Sequence, residues 1–173
     1  PAAPSPSPAA VDPNTSILPP ALAGQVAALQ GRPLDEFFDQ SYRLILLRDP
    51  ESITAEGLSH LLGVRDDHLT DISPAAYQEN LALYRSVYDL LLQYDRSSLS
   101  SEQQISYDVY AWYLDDLLRI GAYPYADYPV NPLVVTGVQN LLEYLFVEYH
   151  AIQNGDDARD YITRLSQVDE KMA

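Results

Sequence analysis

The 173-residue chain contains no cysteine. This excludes disulfides, thiolate metal sites and a cysteine nucleophile in one step, while leaving the compartment open. Histidine is scarce: of His60, His68 and His150, no two stand four residues apart, the spacing a helical zinc pair of the His-Glu-x-x-His type requires. Only 10 basic residues stand against 25 acidic ones, for a net charge of −15. The cations are scattered, so no patch exists to hold phosphates and nucleic acid is excluded as a partner. The same field disfavours an anionic membrane surface, and no apolar run approaches the roughly 20 residues of a spanning helix, which excludes membrane insertion. There is no Gly-rich phosphate loop and no Gly-x-Ser-x-Gly elbow, so nucleotide binding and serine hydrolysis have no motif behind them.

Apolar residues make up 47% of the chain, too many for a disordered polypeptide and enough for the core of one domain. Residues 1–33 read differently. They open with the Pro/Ala/Ser tract Pro-Ala-Ala-Pro-Ser-Pro-Ser-Pro-Ala-Ala, which cannot pack and predicts a flexible, extended spacer. Such spacers follow the cleaved signal of secreted or lipid-anchored bacterial proteins. An extracytoplasmic location is therefore expected, with a signal segment upstream of Pro1 that carries an acylated cysteine in the lipid-anchored case.

From Leu34 onward the signal is helical, and residues 34–173 are expected to form one all-α domain of about six mostly antiparallel helices. Leu34, Phe37, Phe38, Tyr42, Ile45 and Leu46 form the first stripe, and the pattern stops before Asp49-Pro50. A second, short helix is expected from Ile53 to Leu62, closed by Gly63. Ser73 caps a third, with Pro74 at its first position and Tyr77, Leu81, Tyr84, Tyr88 and Leu91 on one face. Ser100 and Gln103 form a capping box for a fourth, whose apolar residues include Ile105, Val109, Trp112, Leu114, Leu117 and Leu118 before Gly121. The fifth runs from about Thr136 to His150, and Asn154-Gly155 precedes the last. There the stripe Ala158, Tyr161, Ile162, Leu165, Val168 and Met172 continues to the penultimate residue without a stop signal, which predicts that the polypeptide extends past Ala173. No strand alternation and no internal repeat is visible.

Candidate sites are few. Glu143 and His150, seven apart, share a helical face, but helix-end contact is the plainer reading of that histidine. Asp108, Trp112, Asp115 and Arg119 form a stripe that could cradle a sugar or a cation, with an Asp115–Arg119 ion pair and a half-buried core tryptophan as the bland alternative. The composition is unusual in its 14 tyrosines. Three of them, Tyr123, Tyr125 and Tyr128, lie in a Pro-stiffened loop between Gly121 and Pro132 and offer flat faces with hydroxyls, the usual equipment of a partner or ligand surface.

Several short runs acquire meaning in succession: Asp49-Pro50-Glu51-Ser52-Ile53-Thr54 with Gly57, Leu69-Thr-Asp-Ile-Ser73, Tyr94-Asp95 with Leu99 to Asp108, Tyr128-Pro-Val-Asn-Pro132 with Gly137, and Tyr161-Ile-Thr-Arg-Leu165. In order and spacing they resemble the N-terminal part of the uncharacterised bacterial family catalogued as domain of unknown function 885, over about Leu34 to Ala173. Members of that family are several times longer, are often exported or lipid-anchored, and resemble helical zinc peptidases through a downstream His-Glu-x-x-Pro-Gly-His motif. That motif is absent here. The resemblance thus implies a helical N-terminal region and a parent activity of metal-dependent hydrolysis of peptides or related amides, with zinc belonging to the full-length parent. It transfers no catalytic residue and no metal ligand to this chain, which is expected to hold no cofactor. Asp49, Pro50, Gly57, Arg164 and the Tyr-Pro loop match as scaffold positions, and Arg164 can hold a carboxylate or a carbonyl elsewhere in the bundle.

Two readings of different class follow. In the first, the chain is the noncatalytic N-terminal helical domain of a larger exported hydrolase, its partner being the remainder of the parent polypeptide; this predicts an exposed apolar face. In the second, it is a stand-alone helical surface module that binds a protein partner or ligand through the tyrosine loop, with Tyr123, Tyr125, Tyr128, Trp112 and Arg164 as contacts; this predicts a closed, polar exterior.

Overall fold

The computed structural model describes residues 18–124, 130–131 and 137–172. Every regular element among them is helical, and no strand occurs. The chain is all-α.

The first helix lies where a spacer was expected. α1 (Pro20–Ala27) starts with proline at its first position, and Leu22, Val26 and Leu29 are buried in the same cluster as Phe37, Leu83, Val87 and Leu91. The spacer reading therefore does not hold for residues 18–33. Their Pro/Ala/Gly content conceals a 22/26/29 apolar spacing that suffices to dock one short helix. The turn after α1 is tied down where the Tyr94 hydroxyl donates to the Arg32 carbonyl oxygen at 2.7 Å.

α2 (Leu34–Leu46) and α5 (Pro74–Leu91) pack together, and α5 pairs most extensively with α6 (Ser101–Ile120). The expected caps are present: Ser73 Oγ accepts from the Ala76 N–H, and Ser100 and Gln103 form a complete capping box on α6. Aromatic contacts lock α2 against this pair. Phe37 meets Tyr94 at 5.3 Å between ring centroids, and Phe38 meets Tyr110 edge-on at 5.6 Å. Tyr110 and Ser41 place their hydroxyls 3.0 Å apart. Burial pushes the Tyr110 phenol up to about 12. Ser41 is fully buried, whereas Tyr42, expected in the stripe, is exposed. The small Ser41 side chain takes the inward position and meets the Tyr110 hydroxyl there.

α6 departs furthest from expectation. Its buried residues are Tyr107 and Leu114, whereas Ile105, Val109 and Trp112 point outward, so Trp112 is not core. Gly121 follows the helix at φ −60°, so it is no left-handed cap. A Cβ there would stand 2.1 Å from Leu81 Cδ2, and Gly121 instead marks the close approach of α5 to α6. The Tyr77 hydroxyl donates to the Gly121 carbonyl oxygen at 3.1 Å.

The helix expected from Ile53 to Leu62 is two, α3 (Pro50–Ala55) and α4 (Ser59–Leu62). Gly57 breaks them apart at φ +67°, and Gly63 ends α4 in the left-handed region at φ +65°. The fifth expected helix is α7 (Val138–Tyr144) followed by one π turn, Leu145–Tyr149, in which the His150 N–H donates to the Leu145 carbonyl oxygen at 2.8 Å. The last expected helix also divides, into α8 (Gly155–Leu165), capped by Asn154, and α9 (Val168–Met172). The Ser166 hydroxyl donates to the Thr163 carbonyl oxygen at 2.7 Å, and Gln167 is drawn sideways into other bonds. These local interactions compete with the helical ladder at the break.

Candidate functional site

Among the described residues the most highly connected side chain is Arg164 of α8, which is fully buried. Its Nε donates to the His68 carbonyl oxygen at 2.8 Å, and Nη1 lies 3.2 Å from His150 Nδ1. Nη2 donates to Thr54 Oγ1 at 2.9 Å and to the Pro50 carbonyl oxygen at 3.4 Å, with Asp66 Oδ1 3.8 Å away. One guanidinium thus joins α3, the 63–73 segment, the π turn and α8, a task suited to its planar fork of donors. Burial lowers the Arg164 pKa, while the Asp66 and Glu51 carboxylates oppose that shift.

A second layer surrounds it. Asp66 Oδ1 accepts from Thr54 Oγ1 at 2.5 Å and from Ser59 Oγ at 2.6 Å. Asp160, one turn before Arg164 and also buried, receives both arms of Arg65, and this pairing holds its carboxyl below the usual range. Gln167 donates to the Asp67 carbonyl oxygen at 2.7 Å and accepts from the Leu69 N–H at 3.1 Å. Lys171 of α9 pairs with Glu51 and donates to the Thr70 carbonyl oxygen at 3.0 Å, while Glu51 Oε1 accepts from the Thr70 N–H at 3.0 Å. Asp49 accepts from the Thr70 hydroxyl and from the Ser52 N–H. The runs beginning at Asp49, at Leu69 and at Tyr161 are far apart in sequence and meet here.

His150 is buried, with its ring edge-on to Tyr161 at 5.1 Å and Nε2 3.3 Å from the Asp157 carbonyl oxygen. A proton on Nε2 leaves Nδ1 as the acceptor for Arg164. Glu143 is exposed whereas His150 is buried, and the wider π turn between them takes His150 off the face the two would share in an α-helix. Among the described residues no group of three or more His, Asp or Glu is placed to hold a metal. A groove of about 510 Å³ runs beside α3, and Arg48 and Arg65 on its rim are bound to Glu79 and Asp160.

The other singled-out residues do not join the clamp. Asp108 is held by Arg96 through bonds of 2.7 and 2.6 Å, and Arg119 bridges Asp115 and Asp116. Trp112 is exposed beside them, as is Tyr123 at the end of α6. Tyr125 and Tyr128 lie outside the described residues. Sequence reading missed Asp66, Asp160, Gln167 and Lys171. The available signal was the spacing of Asp160 and Arg164, four residues apart on one helical face.

Fold and site together define an all-α domain braced by a buried arginine, with one helix carrying an apolar face to the outside. No helix of the described residues is long and apolar enough to cross a membrane. Residues 50–173 match the family model described as bacterial protein of unknown function (DUF885), and the chain belongs to that family. No curated protein and no solved structure matches it. The matched span begins at Pro50 and takes in most of the clamp, from Glu51 to Lys171.

Proposed function

We propose that the chain is the noncatalytic N-terminal helical domain of an exported bacterial metal-dependent hydrolase acting on peptides or related amides, where it serves as scaffold and as one wall of the cleft. The observation that carries this reading is the apolar strip of α6, Ile105, Val109, Trp112 and Ile120, turned away from the domain's own core. A module complete in itself would place polar residues there. The Arg164 clamp suits the scaffold role, because it fixes four segments relative to one another through directional bonds. The Pro/Ala/Ser tract at the start supports export. Zinc belongs, on this reading, to the parent. The described residues of this chain hold no ligand set that fits it, so no step of the chemistry is assigned to them.

The test is to read the encoding gene past the codon for Ala173. An in-frame segment of the His-Glu-x-x-Pro-Gly-His type is expected, and the whole protein should then cleave peptides in a zinc-dependent manner. A stop codon there overturns the reading and leaves the surface module that binds through its tyrosine loop.

A further inference from the structure

The side chains of α6 sort by angle. At 3.6 residues per turn, Tyr107, Ala111, Leu114 and Leu118 fall on one side, toward α5. Ile105, Val109, Trp112 and Ile120 fall on the opposite side and are 67%, 59%, 63% and 62% exposed. A helix apolar on two opposite faces is the pattern of one buried on both. The outer strip runs by steps of four and three residues from Ile105 through Val109 to Trp112, a ridge about 10 Å long with helical spacing, and resumes at Ile120 beyond Asp116, which lies on the same line. Trp112 stands in the middle of it, where a large aromatic is most effective as an anchor.

The charges around the ridge narrow the occupant. Glu102, Asp108, Asp115 and Asp116 are carried on α6 itself, against the single cation Arg119. Arg96 from the preceding turn answers Asp108 on the margin, and Arg119 is shared between Asp115 on the margin and Asp116 on the strip itself, so the strip and its margins stay net acidic. A second copy would bring the same acidic margins and another net −15, an unfavourable juxtaposition.

We propose that the α6 strip seats an amphipathic helix with an apolar face and Lys/Arg margins, contributed by the remainder of the parent polypeptide. This rests on the functional reading above and adds to it the chemistry of the segment that covers the domain. The strip is a lateral docking ridge, with Trp112 as its anchor and Ile105, Val109 and Ile120 completing it.

Trp112 is the only tryptophan in the chain, so its fluorescence reports the strip alone. The probe is a synthetic three-heptad helix with Leu at a and d and Lys at e and g. Its controls are the same helix with Glu at e and g, and with Ala at a and d. The Leu/Lys helix should move Trp112 emission to shorter wavelength and saturate, while neither control does so. Val109→Glu, at an exposed position that leaves the circular dichroism unchanged, should weaken binding at least tenfold. Equal response to all three helices, or unchanged binding by Val109→Glu, overturns the proposal. So does a dimer with already blue-shifted emission before any peptide is added, which would assign the strip to a second copy. An in-frame hydrolase motif with no response to the Leu/Lys helix overturns the docking helix and leaves the function. A stop codon after Ala173 with a positive titration overturns the function and the parental origin of the helix.

Discussion

Replacing Arg164 by Met keeps the length of the side chain and removes every donor. Two acceptors lose their partner outright, the His68 carbonyl oxygen and His150 Nδ1. Thr54 retains Asp66 as the acceptor of its hydroxyl at 2.5 Å, and the Pro50 carbonyl oxygen loses only a long contact of 3.4 Å. Each buried acceptor left without a donor costs about 1–3 kcal/mol, so the two together cost about 2–6 kcal/mol. Relief from burying the guanidinium offsets part of this, which leaves a loss of about 3 kcal/mol. At about 2–4 °C per kcal/mol for a domain of this size, Tm should fall by roughly 6–12 °C. The assay is urea denaturation followed by circular dichroism, with the midpoint lowered and the slope unchanged. Arg164→Lys should recover only part of the loss, because a point charge replaces a fork. A loss below about 1 kcal/mol for Arg164→Met would refute the view that this residue braces the fold.

Three further outcomes follow from the same geometry. Gly121→Ala drives a Cβ to 2.1 Å from Leu81 Cδ2, and since Leu81 is itself buried the clash should cost about 1–3 kcal/mol in thermal denaturation. Asp160 is held below its ordinary carboxylate pKa, so its contribution is present above about pH 3.9 and is lost as pH falls through the lower folded value. In acid titration of stability, Asp160→Asn should flatten the curve over that window. Tyr110 is raised to about 12, so its neutral form favours the fold below about pH 10 and that stability declines up to about pH 12. Tyr110→Phe should reduce this alkaline loss, measured as the change in urea midpoint between neutral and alkaline pH.

The parts of the fold legible in the sequence were those specified locally. Ser73 with Pro74 and the Ser100/Gln103 box announce the starts of α5 and α6 through bonds made within one turn. Gly63 likewise announces the end of α4. The clamp was only half legible. Arg164 could be singled out as a residue able to hold a carbonyl, but its partners at Pro50, Thr54 and His68 are about a hundred residues away and no spacing rule connects them.

The errors on α6 and α8 share one cause. Hydrophobic periodicity identifies an apolar face without saying what that face meets. On α6 apolar residues surround much of the helix, and Trp112, expected as half-buried core, lies on the outer side with Ile105 and Val109 while Tyr107 and Leu114 face inward. On α8 the core-facing positions belong to Asp160 and Arg164, while Ile162 and Leu165 look outward. Exposed apolar residues add no packing to the domain itself, and a buried arginine carries a desolvation cost that its hydrogen bonds must offset. Both arrangements become economical if the polar clamp fixes the inner geometry and the outward apolar faces are left for another helix. The two features that periodicity misread are therefore the ones that carry the functional proposal.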